Sequence, residues 1–262
     1  MTLDNALLLA GDGATAVVLA LLVYRGAFRT FPIFSSYLVW SLLSDAVFFA
    51  TIHFYPASYK NVYLIQLIID SLFQFGVLVE LSWSVLRPLR AALPRWTLPA
   101  IATLILLIGA IIWPLATGPG LNNFPLASRM IFHVQTTFAI LRILFFLVLA
   151  GCSQLLSIGW KDRELQIATG LGFYSLVSLA VWMRHASQAV GGAQYHLLDQ
   201  MVTVSYVCSL AYWTVCFATK EAERREFTPQ MQSLLLAMAG TARSARVALT
   251  DSAPDRNRDR RD

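Results

Sequence analysis

The chain has 262 residues, of which 57% are hydrophobic and only 13% are charged, against about 25% charged for a soluble domain. The formal charge is +5, from 20 Lys and Arg against 15 Asp and Glu. The basic residues fall in short loops and in the tail rather than on one folded face, so nucleic acid is excluded as a partner and membrane topology accounts for the charge.

The N-terminal segment Met1 to Asn5 carries Asp4 and no basic residue, which argues against a cleavable signal peptide. A membrane span needs about 20 mainly apolar residues. Seven runs meet this, at roughly 5–24, 33–54, 63–86, 98–116, 128–155, 166–190 and 197–218. The predicted fold class is therefore all-α, a transmembrane bundle of seven helices occupying residues 1–226, with the lipid bilayer as its principal partner. The three cysteines, Cys152, Cys208 and Cys216, lie inside apolar runs and show no metal-ligand spacing; no metal or cofactor is expected.

Orientation follows from the Lys/Arg bias of short loops. Arg25 and Arg29 follow the first span, and Arg87, Arg90 and Arg95 the third. Lys161 and Arg163 follow the fifth, and Lys220, Arg224 and Arg225 the seventh. The alternate connections hold only Lys60, with Arg129 at a helix start. This places the N-terminus outside and the C-terminus in the cytoplasm. Short loops without Asn-x-Ser/Thr acceptors suggest a plasma membrane of bacterial type, the inner membrane.

The segment Trp40–Phe48 echoes Tyr174–Trp182, as a repeat of three spans flanking a central one would. Past Phe227, Thr228 and Pro229 read as helix N-cap and first residue. Met231, Leu234, Leu235, Met238, Ala242, Ala245 and Leu249 then recur at helical spacing. Residues 227–250 thus form an expected cytoplasmic amphipathic helix, docked on the membrane or offering residues 229–249 to a protein partner. The Arg/Asp-rich stretch 251–262 is expected to be disordered.

Ionisable groups at bilayer depth cost about 2.5–3.5 kcal/mol or more each and usually face the bundle interior. Asp12, Asp45, Asp70, His133, Arg184 and Asp199 all fall in the predicted outer half. At a rise of about 1.5 Å per residue, Asp70 lies roughly 10 Å below the end of its helix. Gln66, Asp70 and Gln74, spaced by four, make one polar stripe; Arg184 and Gln188 make another, and His196 and Gln200 a third. The predicted ligand-binding set is Asp45, Gln66, Asp70, Gln74, His133, Arg184, Gln188 and Asp199, lining a pocket for a small polar ligand or ion from outside. Asp12 and Asp199 lie near enough to helix ends for water to reach them, and His196 suits an interface. Glu80 and Arg142 sit deeper and are predicted to form an intramembrane ion pair.

The seventh span has no lysine for a retinal Schiff base. No Asp-Arg-Tyr follows the third span and no Asn-Pro-x-x-Tyr occurs in the seventh, so the match to G-protein-coupled receptors is one of topology alone. HExxH, Walker A, GxSxG and GxGxxG patterns are lacking, and no nucleophile–base pair stands out, so the chain does not read as an enzyme. The expected function is receptor-like or sensory. A small-solute or ion transporter is the second reading, mildly disfavoured by the lack of mid-span prolines, and a membrane scaffold or assembly subunit is the third.

Overall fold

The computed structural model describes residues 3–86, 96–116, 126–151, 162–187 and 192–219. They form α1 (Leu3–Tyr24), α2 (Pro32–Phe54), α3 (Tyr59–Val85), α4 (Thr97–Ile112), α5 (Leu126–Gly151), α6 (Arg163–Ser187) and α7 (Gly192–Ala218), with single 3₁₀ turns at Ala27–Arg29, Pro56–Ser58 and Trp113–Leu115. All seven helices are long and apolar enough to cross a membrane, and no strand occurs among the described residues. The expected helix at 227–250 and the tail at 251–262 lie outside the described residues.

The helices close into a ring in which α1 packs between α2 and α7, and α3 touches α2, α4, α5 and α6. α6 is the most enclosed, with 56% of its apolar window buried against 11% for α4. Leu104, Leu106, Leu107 and Ile111 on α4 are exposed, the apolar face a lipid tail covers in place of protein.

The apolar core sits at one end of the bundle, the end that holds the start of α2 and the finish of α7. Phe34 and Trp213 meet edge to face at 5.1 Å, with Phe217, Leu38, Leu81 and Leu165 fully buried around them. Close approach here depends on glycine. A Cβ on Gly170 would stand 2.3 Å from Trp213 Nε1, and one on Gly172 would stand 2.9 Å from Phe146 Cβ. The indole N–H of Trp213 donates to the Gln166 carbonyl at 3.2 Å, and the Ser209 hydroxyl donates to the Gly170 carbonyl at 3.0 Å.

At this end polar side chains tie down the exposed ends of neighbouring helices. A helix leaves its first N–H and last C=O groups without partners, and in a bilayer each must be satisfied by protein. Arg163 donates to the carbonyls of Cys216 and Thr219 (2.7 Å for the latter) and lies over the Phe217 ring at 5.0 Å. Arg25 donates to the Ala218 carbonyl. Ser84 donates to Glu164 at 2.7 Å. Asp162, Arg163 and Glu164 are therefore buried, although the sequence places the start of the sixth span after them. The predicted boundary followed the onset of apolar residues, whereas the helix begins where its charged residues have partners on α3 and α7.

The expected Glu80–Arg142 ion pair is not formed. Glu80 instead accepts from the backbone N–H groups of Ile33 at 2.7 Å and Phe34 at 2.8 Å. These belong to the first turn of α2, which starts on Pro32 and has no side-chain cap of its own. A carboxylate held by the positive end of a helix has its charge matched without a basic partner. Glu80→Ala removes both bonds, and a loss of about 2–3 kcal/mol in unfolding free energy is expected. Glu80→Gln keeps one acceptor oxygen and is expected to lose about half of that. Thermal unfolding in detergent ranks the two; equal losses would show that the paired acceptor geometry is not what holds α2.

Candidate functional site

The opposite half of the bundle encloses a polar cavity of about 510 Å³ between α1, α2, α3, α6 and α7. It reaches the end of the bundle where α1 and α7 begin, lined there by the exposed His196 and Asp199. Below it, each of the five helices carries core side chains one or two turns further on: Val18, Phe34, Val77, Leu171 and Leu210. The cavity is a dead end, closed at its base by the aromatic core.

Four carboxylates of the described residues line it, one from each of four helices: Asp12, Asp45, Asp70 and Asp199. The carboxyls of Asp12 and Asp45 stand close to one another across the α1–α2 contact. Asp70 accepts from Gln74 Nε2 at 2.5 Å. No Lys or Arg is among the described residues that line it.

Tyrosines form the base. The Tyr206 hydroxyl lies 3.4 Å from Thr15 Oγ1 and 3.3 Å from Ser41 Oγ, which ties α7 to α1 and α2. Its ring meets the Tyr174 ring at 5.6 Å and 66°. Tyr37 is 8% exposed and packs on Phe73 at 6.4 Å; it lines the cavity and makes no hydrogen bond to the described residues. Arg142, 5% exposed, lies beneath with its guanidinium 5.4 Å from the Tyr174 ring centre. Its Nε and Nη1 have no hydrogen-bond partner among the described residues, and its charge acts on Asp70, Tyr37 and Tyr174. Carboxyl groups thus gather toward the mouth, with the Arg142 guanidinium under the floor.

No family model, curated protein or solved structure matches the chain. The chemistry of the site has to be read from its own residues.

Of the predicted set, Asp45, Gln66, Asp70 and Asp199 come together at the cavity, and Gln74 bonds Asp70. His133 lies elsewhere, stacked on Trp113 at 5.4 Å with its Nδ1 buried. Arg184 is exposed and does not line the cavity. Gln188 lies outside the described residues. The inward stripe of α6 runs through Leu171, Tyr174, Ser178 and Val181 to His185, which leaves Arg184 one step of about 100° off it.

Sequence reasoning passed over Tyr37, Ser41, Ser44, Tyr174, Thr203 and Tyr206. Their signal was present as spacing. Tyr37, Ser41, Ser44 and Asp45 share one face of α2, and Asp199, Thr203 and Tyr206 share one face of α7. Counting only ionisable groups hides such faces, because a tyrosine or serine in an apolar run resembles packing. Both echoing segments, 40–48 and 174–182, contribute lining residues.

Proposed function

We propose that this chain is a receptor-like, sensory protein of a plasma membrane, which takes a small polar ligand from outside into the cavity between α1, α2, α3, α6 and α7. The observation that carries this reading is a cavity rich in hydrogen-bonding groups, reaching one end of the bundle and closed at the other by packed aromatics. A dead-end pocket suits occupancy sensing better than passage. The Lys/Arg bias supports the cavity end being outside; with Arg163 buried as a helix clamp, Lys161 and the arginines at 25, 29, 87, 90 and 95 still favour the opposite end as cytoplasmic. Occupancy has a physical route across the bundle. α7 runs from Asp199 and Tyr206 in the cavity to carbonyls held by Arg163 and Arg25, just before residues 220–249.

Two variants test the function in cells. Asp70→Asn removes a cavity charge, and Ser44→Trp fills the space. In a strain whose own copy is deleted, either variant, shown to be folded and inserted, is expected to leave the transcript profile like that of the deletion strain. A Ser44→Trp strain indistinguishable from one carrying the unaltered protein would remove the case for a sensory pocket. In the same cells, with the native cysteines replaced, Thr203→Cys is expected to react with an impermeant thiol reagent and a cysteine at position 90 is not. The reverse pattern would invert the topology.

A further inference from the structure

Resting on the reading of the cavity as a ligand site, we propose that its ligand is a small organic cation bearing ammonium N–H groups. Among the described residues, four carboxylates face one space that no Lys or Arg lines. Inside a bilayer such charges are costly unless paired, protonated or wetted. A cation that enters the space supplies the partner, and an anion meets repulsion from the α1, α2, α3 and α7 walls.

The form of the cation follows from the spread of the acids. Among the described residues no three His, Cys, Asp or Glu side chains are grouped tightly enough to hold a metal ion. Asp12 and Asp45 stand together, whereas Asp70 and Asp199 come from α3 and α7. A bare ion would need them converged at coordination distance, but an extended amine can place separate N–H groups against separate carboxylates. The volume of about 510 Å³ lies within the ~300–1,000 Å³ usual for small-molecule sites.

A second observation points to a ligand independently of the acids. Tyr37 is 8% exposed, lines the cavity, and has no hydrogen-bond partner among the described residues. The hydroxyl oxygen is open to the cavity rather than sealed in the core, so an N–H there can bond to it. The rings of Tyr174 and Tyr206 add faces a cation favours. Arg142 beneath Tyr174 fixes the depth: its charge acts on Asp70 and repels a cation from the floor, which leaves Asp12, Asp45 and Asp199 as the main counter-charges.

The test is calorimetric titration of the purified full chain in nanodiscs with 1,4-diaminobutane, choline, sodium chloride and the neutral 1,4-butanediol. Diaminobutane is expected to bind, choline to bind at least about tenfold more weakly because it has no N–H, and the diol not to bind. Asp45→Asn is expected to weaken diaminobutane by about tenfold. Should that variant fail to fold, Asp199→Asn at the mouth serves in its place. Tyr37→Phe is expected to weaken binding several-fold without changing the melting temperature. Equal affinity for choline and diaminobutane, or diaminobutane binding that survives both Asp45→Asn and Ser44→Trp, would overturn the proposal, as would no binding of diaminobutane. Binding of the diol that Ser44→Trp abolishes would retain a pocket and reject the cation. Loss of the pocket reading itself would show in the cellular response to Ser44→Trp, whatever binds in nanodiscs.

Discussion

Arg163→Ala is expected to lower the unfolding free energy of the detergent-solubilised chain by about 3 kcal/mol or more. Arg163 is 4% exposed, donates to the carbonyls of Cys216 and Thr219 and to Gln166 Oε1 at 3.2 Å, and covers the Phe217 ring. Hydrogen bonds from a charged donor contribute about 1.5–3 kcal/mol each, and their loss strands carbonyls at the end of α7. The cation also faces the negative end of that helix, an arrangement typically worth about 0.3–1 kcal/mol more. Arg163→Lys keeps the charge but lacks the planar fork that spans two carbonyls and lies on a ring. Thermal unfolding is therefore expected to place it nearer to alanine than to the native chain. A lysine variant as stable as the native chain would show that charge alone holds α6 to α7.

Gly170→Val is expected to be about as damaging, for a steric reason. Even the first carbon of a side chain would lie 2.3 Å from Nε1 and 2.5 Å from Cε2 of Trp213. The indole cannot swing away: it is 1% exposed, packed on Phe34, and bonded to the Gln166 carbonyl. Overpacking of this kind costs about 1–3 kcal/mol and occasionally more. Gly13→Ala is the matched control, since a Cβ there meets nothing within 4 Å; it is expected to unfold at or slightly above the native temperature, alanine being about 1 kcal/mol the better helix former. Trp213→Phe combined with Gly170→Ala should recover part of the loss from Gly170→Ala alone. If the two changes add, Trp213 is not the obstacle.

Seven spans were legible in the sequence because the bilayer imposes a single requirement, about 20 apolar residues in a row, and each run can be counted without knowing its neighbours. Depth was legible for the same reason: at about 1.5 Å per residue, Asp45, Asp70 and Asp199 can be assigned to one half of the bundle from their distance to a helix end. The stripe Gln66, Asp70, Gln74 needed only the helical repeat, and the structure joins its last two members at 2.5 Å. Rotation about the helix axis was not legible, because it is set by what each helix packs against. His133 and Arg184 lie at the right depth and still miss the cavity; one stacks on Trp113 and the other is exposed. The partner of Glu80 was equally out of reach. Matching charge to charge selects Arg142, but the free N–H groups of Ile33 and Phe34 are 47 and 46 residues away in the chain and carry no formal charge. Only when α2 and α3 are packed does the first turn of one come within 2.8 Å of a carboxylate on the other. The closed base of the cavity arose in the same way: Phe34, Leu171 and Trp213 are ordinary apolar residues in their own helices, and only their convergence from α2, α6 and α7 closes one end of the bundle while the other stays polar.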